Sequence, residues 1–134
     1  MKRDYEAWLE FARRDLEAGK ALTEKGQFAN ACFHAQQTLE KALKGLVLFR
    51  GKPVPKIHAL PELLLLAAEP ALAPFRDAFD ELNKYYVPTR YPDMMESEEP
   101  SWFNDPRPAN AACIQAEKIL EIVTSLITAP PPKG

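Results

Sequence analysis

The chain has 134 residues, of which 46% are hydrophobic and 27% charged, and its formal net charge is −2. This length and balance suit one globular domain whose core needs no disulfide or metal to hold it, and the small net charge gives no general argument for nucleic-acid binding. The N-terminal stretch MKRDYEAWLEFARRD is too charged for a signal peptide, and no segment approaches the roughly 18 apolar residues of a membrane span. We therefore expect a soluble, cytoplasmic protein without membrane contact.

The first two predicted helices form a hairpin. Asp4 or a neighbour begins the first helix, which extends to about Lys25, and the second runs from Phe28 to near Gly51. Gly26 is a typical helix stop, and the short connection predicts antiparallel packing. Asp15 falls within the apolar stripe of the first helix, so we expect it to be buried at least in part and to have a basic or hydrogen-bonding partner.

The remaining chain predicts more helices and one irregular segment. A short third helix starts at Pro61, a fourth runs from about Pro74 to Tyr86, and a last one from near Pro108 to about Ile127. Residues 87–107 contain four prolines and no periodic pattern, which is typical of a functional or mobile loop. The chain is thus predicted to be an all-α, up-and-down bundle of four long antiparallel helices plus a short helix, with one domain over residues 1–128 and a disordered tail over 129–134.

The cysteine and histidine content argues against a metal site. Cys32 and Cys113 fall on apolar helix faces, where a cysteine usually packs as a small hydrophobe. With two histidines and no cysteine pair at ligand spacing, no dedicated metal site and no cofactor are expected. Trp102 and Phe103, in the irregular acidic segment, are candidates for exposed aromatic contacts with a partner.

A polar row along the second helix is the first candidate site. It consists of His34, Gln37, Lys41 and Lys44, spaced three, four and three residues apart, with Glu40 between this row and the apolar face. Lysines neutralise phosphate, glutamine reads a base edge, and histidine donates, accepts or transfers a proton. The alternative is an ordinary solvated helix face.

The second candidate site is the turn Arg90-Tyr91-Pro92-Asp93. Arg90 offers a planar fork for a phosphate or carboxylate, and Tyr91 offers a stacking surface. The alternative is that Arg90 pairs with Asp15 or Glu40 and only holds the loop in place. His58, in the loop after the second helix, is more typical of a capping or packing histidine than of a catalytic one.

Taken together, these motifs resemble the HEPN domain, the higher eukaryotes and prokaryotes nucleotide-binding family. The resemblance spans about residues 4–127 and lies in four blocks, namely Trp8 with Ala12-x-x-Asp15-Leu16, Phe33-His34-Ala35-Gln36-Gln37-x-x-Glu40-Lys41-x-x-Lys44, Lys56-Ile57-His58-x-Leu60, and Arg90-Tyr91-Pro92-Asp93.

The resemblance implies a helical bundle that dimerises and that works beside a minimal nucleotidyltransferase, in a pair that resembles a toxin–antitoxin module. It also implies that a nucleotide or nucleotidylated group is bound by Gln37, Lys41, Lys44, Arg90, Tyr91 and Asp93, with Asp15, His34, Glu40 and His58 in supporting positions. Many members are metal-independent ribonucleases with an Arg-x(4–6)-His motif. No histidine follows Arg90 here, and Arg50 and His58 are separated by seven residues, so ribonuclease activity is not carried over.

Three hypotheses follow from the sequence. The first is a non-catalytic nucleotide-binding module with a nucleotidyltransferase partner, and the second is a ribonuclease toxin with a divergent site acting on RNA. The third is a structural oligomer whose acidic loop docks a basic partner. In each case a homodimer or higher oligomer is expected, because the apolar stripes exceed what one small bundle covers.

Overall fold

A computed structural model of the protein describes residues 3–86 and 101–128. Over these ranges the chain forms five α-helices and two short 3₁₀ helices, with no strand. The α-helices are α1 (Asp4–Glu24), α2 (Phe28–Phe49), α3 (Leu60–Ala67), α4 (Arg76–Asn83) and α5 (Pro106–Thr128), and the 3₁₀ helices are Pro70–Phe75 and Ser101–Phe103. The predicted all-α bundle is confirmed. No helix within the described ranges is long and apolar enough to cross a membrane.

The helix hairpin of α1 and α2 forms as predicted and packs closely. Gly26 takes the left-handed conformation at φ +76°, and the Gln27 amide donates to the Leu22 carbonyl at 2.8 Å, which ends α1. A Cβ added at Gly45 would lie 3.2 Å from the Trp8 Cβ and 3.3 Å from the Tyr5 carbonyl oxygen. The two helices therefore approach each other at a residue without a side chain, and this brings the polar side chains of one within reach of the other.

The helices after the hairpin differ from the prediction at their ends. The 3₁₀ helix Pro70–Phe75 includes Pro74, so α4 starts later than predicted, and it ends at Asn83, before Tyr86. The Asn83 side-chain oxygen accepts the Leu60 backbone N–H at 2.9 Å, so the end of α4 satisfies the first turn of α3. Tyr86 therefore lies beyond the C-terminal end of α4 rather than within the helix.

Helix α2 is the central element of the core. Its apolar side chains pack between α1 and α5, and residues that are essentially inaccessible to solvent include Leu39, Leu43, Leu46, Ile119 and Val123. Cys32 and Cys113 are both buried and unpaired, as predicted. Burial raises the pKa of the Cys32 thiol to about 12, so this side chain stays a neutral thiol at physiological pH.

The prediction that Trp102 is an exposed aromatic is wrong. Trp102 is buried, and its ring packs edge-on against Tyr85 with the ring centroids 4.7 Å apart. Phe103 is half-buried and packs against Trp102, also at 4.7 Å. A short 3₁₀ helix turns both rings toward the bundle, so they join the core instead of presenting an aromatic surface.

Two cations at the C-terminal end of α2, Arg50 and Lys52, serve the fold. The Arg50 guanidinium donates to the Ala67 carbonyl oxygen and to the Glu69 carboxylate, and the Lys52 ammonium lies 3.4 Å from the Leu66 carbonyl oxygen. Cations are favourable at the carbonyl end of a helix, so Arg50 and Lys52 hold the C-terminal end of α3.

Candidate functional site

Asp15 on α1 accepts hydrogen bonds from two side chains of the polar row on α2. The His34 Nδ1 lies 2.8 Å from Asp15 Oδ1, and the Lys41 Nζ lies 2.5 Å from Asp15 Oδ2. Asp15 is buried, whereas His34 and Lys41 are half-buried. We call these three residues the Asp15 cluster. The predictions that Asp15 is buried and that it has a basic partner are both confirmed.

The pKa of Asp15 reflects two opposing effects. Burial of the carboxyl acts to raise the pKa, but hydrogen bonds and positive charge from His34 and Lys41 outweigh the burial and hold the pKa below its ordinary value of 3.8. Asp15 is therefore an ionised carboxylate at neutral pH. A carboxylate can only accept hydrogen bonds, so the Nδ1 of His34 carries the proton and its Nε2 is the acceptor nitrogen of the neutral ring.

Glu40 is the centre of a second cluster that, like the Asp15 cluster, consists of a carboxylate, a lysine and a histidine. Glu40 Oε2 accepts from the Lys44 Nζ at 3.1 Å and lies 3.0 Å from the His58 Nδ1. The side chains of Glu40 and Lys44 are each 6% exposed, while that of His58 is 55% exposed. We call these residues the Glu40 cluster. The Lys44 ammonium also lies 5.8 Å from the centroid of the Trp8 ring, a cation–π arrangement that closes the inner side of the cluster.

Two glutamines connect the row to Glu40. The Gln37 amide nitrogen donates to Gln36 Oε1 at 2.7 Å and lies 3.5 Å from Glu40 Oε1, and the Gln36 amide nitrogen lies 3.4 Å from the same oxygen. Gln36 is fully buried, whereas Gln37 is half-buried. The Glu40 carboxylate is thus held from three directions, by amide, ammonium and imidazole groups.

A row of rings extends between the two histidines. The His58 ring stacks on Tyr86 with centroids 5.1 Å apart and planes 13° apart. Tyr86 lies 6.3 Å from Phe33, and Phe33 packs edge-on against His34 at 5.5 Å. The rings of His34, Phe33, Tyr86 and His58 therefore form one continuous series, which we call the ring row.

Seven of the ten predicted site residues lie within the described part of the chain, and the fold brings them to one side of α2. The members are Asp15, His34, Gln37, Glu40, Lys41, Lys44 and His58. They do not form a solvated helix face, because Asp15 and Glu40 draw both lysines inward. Arg90, Tyr91 and Asp93 lie outside the described residues, so their predicted roles stay predictions.

Tyr86, Gln36 and Trp8 are members of the site that the sequence did not identify as such. Tyr86 was predicted to be the last residue of α4, and its side chain leaves the face of that helix because α4 ends at Asn83. Gln36 offered a signal, since it is an amide on the border of an apolar helix face and a buried amide needs a partner. Trp8 belongs to a block of the family resemblance, but its contact with Lys44 does not follow from the sequence.

Other polar groupings in the described chain do not resemble a metal centre. No group of three or more histidine, cysteine or acidic residues in these ranges could hold a metal ion. A cleft of about 630 Å³ lies between α4 and α5, lined in part by Glu81, Tyr85 and Arg107, and shares no residue with either cluster.

A known protein family and two solved structures match this chain over most of its length. The sequence model of the HEPN domain matches residues 5–126. The crystal structure of TT1696 from Thermus thermophilus is similar with a TM-score of 0.79 and 37% identity, over 92% of this chain and 98% of that one. The crystal structure of ST0689, an archaeal HEPN homologue, is similar with a TM-score of 0.77 and 35% identity, over 96% of this chain and 100% of that one. No curated protein matches. With the family pattern covering nearly all of the described helices, the chain belongs to the HEPN domain family.

Proposed function

We propose that the two clusters and the ring row bind a nucleotide or nucleotidylated group, and that the protein is a binding module. The observation that supports this most is the pairing of two carboxylate-anchored histidine rings with an aromatic stack on one side of α2. A nucleotide combines a flat base with an anionic phosphate, and this side of the helix offers a surface for each.

The Asp15 cluster is the proposed phosphate contact. An ammonium group has three donors, and Lys41 uses one of them on Asp15 Oδ2. The half-buried Lys41 and His34 are open to a ligand on their outer side, and Asp15 fixes the orientation of both. Lys44 is nearly buried and already paired with Glu40, so in this proposal it holds Glu40 rather than touching the ligand.

The ring row is the proposed base contact. Stacking of a base on an aromatic side chain is worth about 1–3 kcal/mol and tolerates any base. His58 is the most open ring of the row, and its Nδ1 bond to Glu40 fixes the plane of the ring. On sequence grounds, Arg90, Tyr91 and Asp93 complete the proposed site, because they follow Tyr86 closely in the chain.

We expect titration calorimetry with the four ribonucleoside triphosphates and monophosphates to detect binding by the wild-type protein. Lys41→Ala is expected to weaken that binding about tenfold, since a hydrogen bond to a charged group contributes about 1.5–3 kcal/mol. Lys118→Ala is the matched control, because Lys118 is an exposed lysine on α5, which carries none of the cluster residues.

Heat of binding that falls equally in both lysine variants would show general charge attraction rather than a site. No heat with any nucleotide would refute the proposed ligand. His58→Ala separates the proposed base contact from the proposed phosphate contact. Loss of stacking should weaken the binding of nucleotides and leave the weak binding of inorganic phosphate unchanged.

We further propose that the module works with a minimal nucleotidyltransferase in a toxin–antitoxin-like pair. Membership of the HEPN family supports this part of the proposal. The test is to identify the neighbouring gene in the source genome and to co-express its product with this chain. Co-purification of a nucleotidyltransferase in fixed ratio would support the pair, and a neighbour of another kind, or one that does not co-purify, would oppose it.

A second function is favoured by the hydrogen-bonding state of the two histidines. Each ring donates from Nδ1 to a carboxylate, which leaves Nε2 as the acceptor in the neutral form. A histidine oriented in this way by a carboxylate is the arrangement of a general base. The alternative proposal is therefore a metal-independent ribonuclease in which His34 or His58 takes a proton from a 2′-hydroxyl group.

We expect the ribonuclease proposal to be decided by incubation of the protein with total RNA in the presence of a chelator. Cleavage that persists in chelator and is lost in His34→Ala or in His58→Ala would support it, and the variant that loses it would identify the base. Cleavage that the two variants retain would point to a contaminating nuclease, and intact RNA at micromolar protein would remove the proposal.

A further inference from the structure

The cleft between α4 and α5 is an unfilled groove with an apolar floor. Its volume is about 630 Å³. Short side chains keep it open, since three of the six apolar residues that line it are alanines. The six are Ala78, Leu82, Tyr85, Pro108, Ala111 and Ala112. None of them belongs to the Asp15 cluster, the Glu40 cluster or the ring row, so the proposed nucleotide site leaves this surface unused. We call it the α4–α5 groove.

The α4–α5 groove follows the axes of the two helices. On α4, Ala78 and Leu82 lie one turn apart, and on α5 the lining continues from Pro108 to Gln115. At a rise of about 1.5 Å per residue, this stretch of α5 is about 10 Å long, or two helical turns. The walls are helices whose backbone groups are mostly bonded internally, so they offer no free edge to an extended strand. The shape of the groove therefore fits a short helix.

The rim of the groove carries more negative than positive charge. Asp77 and Glu81 lie one turn apart on α4, and Asp105 and Arg107 lie where α5 begins. The Arg107 side chain is 87% exposed and pairs with Asp105 at 2.7 Å, and Glu81 pairs with Lys84, which is not part of the lining. Asp77 is exposed and forms no ion pair within the described part of the chain. Exposed ion pairs contribute at most about 1 kcal/mol, so the paired carboxylates stay available to another cation.

We propose that the α4–α5 groove binds a basic amphipathic helix of another protein. The alanines of the floor let a helix approach closely, and the aliphatic stems of lysine or arginine cover the apolar floor while their charged heads reach the rim. Charge argues against a second copy of this chain in the groove. Two-fold pairing through this surface would set Asp77 and Glu81 of one copy close to the same carboxylates of the other. The proposal does not depend on the nucleotide site.

The role of the acidic rim is tested by fluorescence anisotropy with a labelled peptide. The probe is a helix-forming peptide of about 15 residues built from alanine, leucine and lysine, and its counterpart has glutamate in place of lysine. We expect the wild-type protein to bind the lysine peptide and not the glutamate peptide. Asp77→Lys should weaken binding at least about tenfold, since like charges then meet at the rim. Glu121→Lys is the matched control, because it changes the net charge equally and Glu121 is exposed on α5 outside the groove.

The role of the apolar floor is tested with the same lysine peptide. Ala111→Trp places a large side chain in the groove and should also weaken binding at least about tenfold, because the helix can no longer reach the floor. Asn110→Trp is the matched control, since Asn110 is exposed on the same helix but does not line the groove. Circular dichroism checks that each variant keeps the helix content of the wild type. Asp77→Lys keeps the proposal testable if Ala111→Trp does not fold.

Three results would overturn the proposal. The first is that the lysine peptide does not bind, or that the glutamate peptide binds equally well. The second is equal weakening by Asp77→Lys and Glu121→Lys, which would mean general charge attraction rather than a groove. The third is that Ala111→Trp dissociates an oligomer of the wild-type chain in sedimentation velocity, which would mean that a second copy covers the groove.

Discussion

Asp15→Asn should lower the free energy of unfolding by about 2 kcal/mol at pH 7. The amide has nearly the shape of the carboxylate but no charge and only one acceptor oxygen, so it can accept from Lys41 or from His34 but not from both, and its NH2 group would face the other donor. Removal of one partner from a buried ion pair typically costs about 3–5 kcal/mol. The cost here is smaller because Lys41 and His34 keep part of their contact with water.

The difference in free energy of unfolding between wild type and Asp15→Asn should decrease as the pH falls. The pKa of Asp15 lies below 3.8 in the folded state, so the unfolded chain binds the proton first as the pH falls. The stabilisation is complete well above pH 3.8 and is lost as the pH falls through the lower folded-state pKa. The stability gap between wild type and Asp15→Asn should therefore narrow from pH 7 to about pH 3.

Urea unfolding followed by circular dichroism at both pH values measures this gap. Glu17→Gln is the matched control, because Glu17 lies exposed on the same helix and forms no ion pair within the described residues. Its effect should stay within about 0.5 kcal/mol at either pH. A gap for Asp15→Asn that is constant or widens in acid would contradict the ionised pair.

The sequence predicts the helices well where burial is periodic. Helices α1 and α2 repeat their apolar residues every three or four positions, and their observed ends lie close to the predicted ones. The start of α4 was harder to predict, because Pro74 is compatible with the first turn of a helix and also with the 3₁₀ helix that it in fact joins. Burial of Trp102 depends on tertiary packing against Tyr85, which no local pattern encodes.

The candidate site was predictable to the extent that it lies on the hairpin. The position of Asp15 within an apolar stripe required a partner, and the row on α2 supplied one once the two helices were antiparallel. The Glu40 cluster depends instead on the path of the chain between α2 and α3, which brings His58 to within 3.0 Å of Glu40. The spacing along the chain does not determine that path, and for the same reason the stacking of Tyr86 on His58 was not foreseen.

Glu40→Gln should lower the free energy of unfolding by about 3 kcal/mol, which is more than the effect expected for Asp15→Asn. Both Glu40 and Lys44 have side chains that are 6% exposed, so an unpaired ammonium at Lys44 could not recover its hydration without opening the structure. The Trp8 ring at 5.8 Å would remain, but a cation–π contact contributes only about 0.5–2 kcal/mol. Urea unfolding at pH 7 measures the loss.

A double-mutant cycle separates the ion pair from the other contacts of Glu40. Lys44→Met keeps the length of the side chain and removes its charge, so the double variant Glu40→Gln, Lys44→Met leaves no unpaired charge between these two positions. We expect the double variant to be less destabilised than the sum of the single variants, with a coupling free energy of about 2 kcal/mol. Strict additivity would mean that His58 and the two glutamines, rather than Lys44, hold the Glu40 carboxylate. Replacing both members of a buried ion pair with uncharged groups often costs little stability. If the double variant folds but no longer binds nucleotide, the Glu40–Lys44 pair is needed for the site rather than for the fold.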